Sequence, residues 1–236
     1  MVAVLEIGEV SVDVVFKDIK NVHLSVYPPT GRVRISAPCR MTIENVRLFA
    51  ISKLGWIKKQ QGKLLSQERE TPREFLERES HYVWGRRYLL RLEEGAAGVE
   101  LRHRDIVLHI GSESTPRRRQ EVIDEWYRRE LRIAALPLIH KWEVALELQL
   151  SRFFVQRMKT KWGSSNPTLR TIRLNLELAK KSAECLDYVV LHEMLHFLVP
   201  DHSARFQVLL DEKMPGWRHV RRTLNEAPLF YGSPAA

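Results

Sequence analysis

Leu186-Asp187-Tyr188-Val189-Val190-Leu191-His192-Glu193-Met194-Leu195-His196 places two histidines four residues apart within an apolar run. On a helix such residues lie one above the other, so His192 and His196 present two imidazoles on one face, close enough to share a metal ion. Glu193 adjoins His192 and can reach a water held at the ion's open position. Two neutral nitrogen ligands, an open position and a general base are what a zinc hydrolase requires. The apolar neighbours Val189, Val190, Leu191, Met194, Leu195, Phe197 and Leu198 predict a largely buried helix. Polar groups there are costly without partners, and a metal supplies them. The plainer alternative is a pair of hydrogen-bonded core histidines beside a salt-bridged glutamate. The cost of an unpaired buried carboxylate weighs against it.

A catalytic zinc site takes a third protein ligand. Pro200 stops the helix that Ser182 is positioned to cap, and Asp201-His202-Ser203 follows, so a short turn can return His202 to the metal. Asp211 or Glu212 on the next helix are the alternatives, with Asp201 as a further ligand or supporting group. The other histidines (His23, His81, His103, His109, His140 and His219) lack ligand spacing. Tyr188, a turn before His192, is read as a packing residue.

Outward from this segment, Phe153–Met158 and Leu169–Leu174 are β-like runs around a turn containing Gly163, Ser164, Ser165, Asn166 and Pro167. Arg117–Leu148 has helical periodicity, with Pro137 able to kink or split it. Helices close the chain at Ala204–Glu212 and Arg218–Leu224. The N-terminal part is β-rich. Val10–Phe16 alternates, His23–Val26 and Arg32–Ser36 flank a Pro-Pro-Thr-Gly turn, and Tyr82–Glu93, Val99–Arg102 and Ile106–Ile110 supply further strands. One long helix, capped by Thr42, is predicted to run to about Leu65. Ser66–Ser80 is a polar connector, and Gly111–Pro116 is read as the linker between domains. No internal repeat is apparent.

The net charge is +9 with a pI near 9.7, which favours polyanionic partners, nucleic acid among them. Candidate contacts are Arg117-Arg118-Arg119, Arg128-Arg129, Arg218 and Arg221-Arg222. No apolar run reaches the ~20 residues of a membrane-spanning helix. Glu6 and Glu9 stand where a signal peptide would be positively charged. The expectation is a cytoplasmic protein without membrane attachment. Cys39 and Cys185 are far apart and outside any C-x-x-C pattern, so neither a disulfide framework nor a cysteine zinc knuckle is expected. Cys185 is read as a core residue.

Lys159-Thr160-Lys161-Trp162-Gly163-Ser164-Ser165, Ile172-Arg173-Leu174-Asn175-Leu176, the histidine segment and Asp201-His202-Ser203-Ala204-Arg205-Phe206 together resemble the YgjP-like metallopeptidases, relatives of the SprT-like and WLM zinc proteases. Gly31–Pro38 and Lys53–Lys59 extend the likeness over nearly the whole chain. The resemblance implies that zinc is held by His192, His196 and His202, with Glu193 as general base. It departs at Ser165, where members commonly carry cysteine, so a redox or metal role for that cysteine is absent here, while the local turn should be kept. The expected fold is α+β: a β-rich N-terminal domain (1–112) followed by a mainly helical, zincin-like metallopeptidase domain (117–236). The expected activity is hydrolysis of peptide bonds in a peptide or protein, with DNA-associated proteins as one substrate class. The strand at Thr171–Leu174 would flank the cleft and pair with substrate. A metal-dependent nucleoside-triphosphate pyrophosphohydrolase is the enzymatic alternative. It calls for phosphate-binding residues such as Arg157, Lys159, Lys161, Arg170 or Arg173 near the metal, and no Gly-rich phosphate loop is present. A third reading, a nucleic-acid-binding module with structural zinc, lacks an evident fourth ligand.

Overall fold

Strand alternation organises the first part of the chain. In the computed structural model, which describes residues 2–27, 30–66, 73–158 and 160–226, four strands form one sheet. They are β1 (Val2–Ile7), β2 (Val10–Lys17), β3 (His23–Tyr27) and β4 (Arg32–Pro38), in the order β1-β2-β4-β3. β2 and β4 run parallel, with Val12 opposite Val33 and Val14 opposite Ile35. Those four residues are fully buried, whereas Ser11 and Arg32 are exposed. β1 was not anticipated from sequence. It forms a hairpin with β2 through Gly8, whose φ of +61° suits a residue without a Cβ.

The single helix expected after Thr42 is two, α1 (Ile43–Ser52) and α2 (Leu54–Ser66). Thr42 does cap α1, its hydroxyl accepting from the Asn45 N–H at 3.3 Å. At Lys53 the N–H bonds back to the Ala50 carbonyl at 3.1 Å, and this tightened turn ends α1. Val46, Ala50 and Ile57 nevertheless share one core with the sheet.

The chain divides into two compact units within the polar 66–80 stretch, not at Gly111–Pro116. Pro72 of that stretch, the Pro28-Pro29 turn and Lys159 lie outside the described residues. The second unit begins with another sheet, of β5 (Ser80–Val83), β6 (Arg86–Glu93), β7 (Gly98–Arg102) and β8 (Asp105–His109), in the order β5-β6-β8-β7 with β6 and β8 parallel. Both four-stranded sheets therefore share one strand order and one parallel pair, a repeat of topology without a visible repeat of sequence. The second sheet belongs with the helices because its apolar face packs on them. Val83, Leu90, Ile106 and Leu108 share a core with Ile123, Trp126, Tyr127 and Leu131, and the Tyr127 hydroxyl donates to the Tyr82 carbonyl at 2.7 Å.

Those last four residues lie on α3 (Pro116–Leu146), which Thr115 caps and which begins with proline. The expected linker is thus a helix start. Pro137 sits inside α3 without splitting it. Next come β9 (Arg152–Gln156), β10 (Gly163–Asn166) and β11 (Thr171–Asn175), ordered β10-β11-β9, then a 3-10 turn (Leu176–Lys180). The expected turn at Gly163–Asn166 is therefore a strand, paired antiparallel with β11. α4 (Ala183–Leu195), α5 (Ala204–Lys213) and α6 (Trp217–Glu226) complete an α+β fold. α4 stops three residues before the expected Leu198. Ser182 occupies its cap position without capping a backbone N–H, its hydroxyl lying 3.4 Å from the Cys185 sulfur. Cys185 is buried, and both cysteines are free. Among the described residues no helix is long and apolar enough to cross a membrane.

α3 and α4 are joined at Asp187, which accepts from the Trp142 indole at 2.6 Å and from Lys141 at 2.7 Å. Asp187→Ala leaves the buried indole N–H without a partner and should cost about 1–3 kcal/mol. Asp187→Asn, which keeps an acceptor, should cost less, as denaturant unfolding of the two variants would show.

Candidate active site

Apolar residues bury α4 on nearly every side: Leu186, Val190, Leu191, Met194 and Leu195 are all fully inaccessible. The polar residues mark its one open face. His192 and Glu193 lie in the last turn, and His196 terminates the helix. The chain then folds back through Phe197, Leu198 and Val199, whose N–H groups bond to the carbonyls of Met194 and Leu195. Beyond Pro200 it returns His202 to the helix, and the Nε2 atoms of His202 and His192 lie 3.0 Å apart.

One ring nitrogen from each of His192, His196 and His202 falls within 4.8 Å of the others. Nitrogens bound tetrahedrally to one zinc at ordinary bond lengths lie roughly 3.4 Å apart, so the cluster fits a metal ion with small adjustment. The outer nitrogens are supported. His192 Nδ1 lies 3.4 Å from the Tyr188 hydroxyl, and His196 Nδ1 lies 3.2 Å from the Val199 carbonyl. With the proton on Nδ1, each leaves Nε2 free to ligate, and such outer contacts hold a ligand's ring in place. Tyr188 thus has a polar contact beyond the packing role expected of it. The buried ring of Phe206 touches all three imidazoles, with centroids 4.8–5.0 Å away, and forms their floor.

Burial sets the protonation states. With help from the neighbouring His196 and His202, it holds His192 down at about 3, and it lowers His196 as well. Both imidazoles are therefore neutral at physiological pH, as ligation requires. Burial pushes the Glu193 carboxyl up to about 7, opposed by a hydrogen bond from Ser165 and the charge of Lys161. Glu193 is pressed against Gly163: a Cβ at that position would lie 2.7 Å from both Cγ and Oε1 of Glu193. The glycine read as a turn residue is a strand residue that makes room for the carboxyl. Ser165, also in β10, hydrogen-bonds Glu193 where a turn role had been expected.

These groups line a cavity of ≈ 620 Å³, walled by Lys161–Ser165 and Pro167 on one element and by Arg221, Leu224 and Asn225 of α6 on another. β10 is an edge strand, whereas β11 is flanked by β10 and β9. The strand with an unpaired edge at the cavity is therefore β10, and not Thr171–Leu174, which had been expected to flank the cleft. Asn175 holds the approach to β10 in shape. Its side chain is buried and donates to the Met158 and Lys161 carbonyls at 2.9 and 2.8 Å.

The alternative carboxylates are elsewhere. Asp211 accepts from the Trp217 indole and from Arg218, and neither Glu212 nor Asp201 joins the histidine cluster. Of the expected phosphate-binding residues, Lys161 lines the cavity. Arg157 is engaged by Asp124 and Glu177, Arg173 lies over the Phe154 ring, and Arg170 borders a separate hollow beside His140. The arginine runs are largely matched by neighbours. Arg117 and Arg118 pair with Glu121, Arg128 with Glu125, Arg129 with Glu130 and Arg218 with Asp211. Arg221 and Phe206 were not singled out as site residues from sequence. The available signal was spacing: Arg221 follows Trp217 by four residues and precedes Asn225 by four, so one face of α6 carries all three.

Three imidazoles able to hold a metal ion beside a carboxyl raised to about 7 are equipment a metallohydrolase would need. Comparison with known families narrows the class. The YgjP-like metallopeptidase domain matches residues 20–227, and the chain belongs to that family. No protein of curated function matches it in sequence. The solved structures similar over part of the chain include two metallopeptidase zymogens. The metallopeptidase zymogen jannalysin of Methanocaldococcus jannaschii is 22% identical with a TM-score of 0.35, over 39% of this chain and 87% of that one. The zymogen abylysin of Pyrococcus abyssi is 18% identical with a TM-score of 0.36, over 38% and 90% respectively.

Two predictions come from Glu193. Gly163→Ala should displace the carboxyl and lower peptidase turnover on the order of a hundredfold, as expected of misplacement near 1 Å, while bound metal measured by atomic absorption stays at the parental level. In metal-free protein, ionising a carboxyl raised from 4.5 to about 7 costs stability as pH climbs through that interval. Glu193→Gln should therefore match the parent below pH 4.5 and exceed it above pH 7, by on the order of 3 kcal/mol. Urea titrations at pH 4.5 and 8 test the sign.

Proposed function

We propose that the protein is a zinc-dependent peptidase in which His192, His196 and His202 hold the metal and Glu193 is the general base. The supporting observation is the convergence of three imidazoles beside a buried carboxyl, on the wall of a cavity bordered by a free strand edge. The chemistry supplied by a zinc ion held there is Lewis acidity toward the scissile carbonyl and the attacking water. Glu193 takes the proton of that water and delivers it to the leaving amine. A carboxyl balanced near pH 7 is suited to both transfers. The Ser165 hydroxyl and Gly163 fix its direction. β10 orients the substrate by pairing with an extended peptide, whose side chains then alternate toward and away from the cavity.

Peptide is favoured over a nucleoside triphosphate because the cavity combines an edge strand with Trp162, Pro167, Tyr188, Val189 and Leu224. Arg157, Arg170 and Arg173, the arginines expected to bind phosphate, do not line the cavity. DNA-associated proteins as substrates gain no separate support from the arginine runs, most of which are paired. The purified protein should carry about one zinc per chain, and His192→Ala, His196→Ala and His202→Ala should each lose it. Glu193→Gln should keep zinc and fold while losing on the order of 10²–10⁴ in peptide hydrolysis. Full zinc occupancy in His202→Ala, or parental turnover in Glu193→Gln, would each refute its assignment.

A further inference from the structure

Among the described residues Glu193 is the only acidic one lining the cavity, and two cations line it that form no ion pair with a described carboxylate. One is Lys161, on the approach to β10; the other is Arg221, on α6. The packing of α6 explains the placement of Arg221. Trp217 stacks on Tyr188 with its ring plane 7° off parallel, and Leu224 is buried. These anchors turn the intervening face of the helix toward α4 and the cleft. The Arg221 guanidinium lies 5.9 Å from the Trp217 ring, which steadies it. Arg218, one turn earlier, does not line the cavity and is paired with Asp211. Both cations act on the centre: Arg221 disfavours protonation of His192, and Lys161 favours ionisation of Glu193. Neither is neutralised by Glu193, whose carboxyl is buried and hydrogen-bonded to Ser165.

A substrate entering the cleft strips water from these two charges. A neutral or basic peptide leaves that desolvation uncompensated, whereas a carboxylate offsets it through charge-assisted hydrogen bonds, bidentate in the case of arginine. Resting on the peptidase reading above, we infer that the cleft selects peptides bearing a carboxylate close to the scissile bond, with Arg221 and Lys161 as the specificity-determining residues. The carboxylate has two sources, an Asp or Glu side chain or the free C-terminus of a short peptide. Two cations on separate elements suit one such group better than a polyphosphate, which calls for a convergent cluster.

The test is a set of quenched fluorescent peptides of one sequence, with Glu, Gln or Lys placed in turn at each position flanking the cleaved bond, each with a free and an amidated C-terminus. In zinc-loaded protein the carboxylate-bearing peptide should exceed its neutral counterpart about fivefold in kcat/KM, the upper size expected of one exposed charge pair. That ratio should fall toward one in Arg221→Gln or Lys161→Gln and be retained in Arg221→Lys. Loss of the preference on amidation assigns the terminal carboxylate; a preference for Glu that survives amidation assigns the side chain. Calorimetric titration of zinc-loaded Glu193→Gln with the same peptides reads selection without turnover, and the acidic peptide should bind more tightly, with the advantage shrinking as salt rises. Peptides cut without regard to charge, or a ratio unchanged in both glutamine variants, overturn this inference and leave the peptidase standing. Zinc-loaded protein that neither binds nor cuts any peptide overturns both.

Discussion

The contact between Glu193 and Gly163 is the constraint on which the site depends. A carboxyl 7% exposed on a helix otherwise enclosed by apolar side chains needs both space and a partner. β10 supplies both, with Gly163 leaving room that a Cβ would occupy and Ser165 bonding the oxygen. β10 in turn is held by its pairing with β11 and by Asn175, which fixes the chain leading into it. One short strand of unpromising composition thereby positions the Glu193 carboxyl, borders the cleft and leaves one edge unpaired there.

The histidines illustrate a different balance. Burial and mutual proximity keep His192 and His196 neutral, and neutrality is what a metal ligand requires. The same burial that raises Glu193 to about 7 depresses His192 to about 3. A single low-polarity environment thus shifts two imidazoles and a carboxyl in opposite directions, because desolvation penalises whichever form is charged. Phe206 beneath the three rings and Tyr188 beside His192 maintain that environment.

The parts of this arrangement that were legible in sequence are those written in local period. The i, i+4 histidines, the alternation of Val10, Val12 and Val14, the Thr42 cap and the return of His202 after Pro200 all follow from spacing within a few residues. β10 was illegible because Gly163-Ser164-Ser165-Asn166 contains no strand-forming side chain; its extended form comes from pairing with β11 across the turn that follows. The division between units was misplaced for a related reason. Gly111–Pro116 has linker composition, but Thr115 and Pro116 are also the cap and first residue of a helix. Only the packing of the second sheet on α3 decides between the two. Arg221 was visible only as one of several arginine pairs, because its distinction lies in what α6 packs against.

The positive net charge is best understood residue by residue. Arginines that read as basic runs are largely engaged with glutamates a turn away or with carboxylates across the fold, as Arg157 is with Asp124 and Glu177. Such pairs contribute little to a long-range field, since opposite charges a few ångströms apart screen one another. The cations that matter for recognition are those left unmatched where solvent is displaced by substrate. Lys161 and Arg221 meet that condition at the cleft, so the part of the charge with functional meaning sits beside the catalytic helix rather than along the arginine-rich surface.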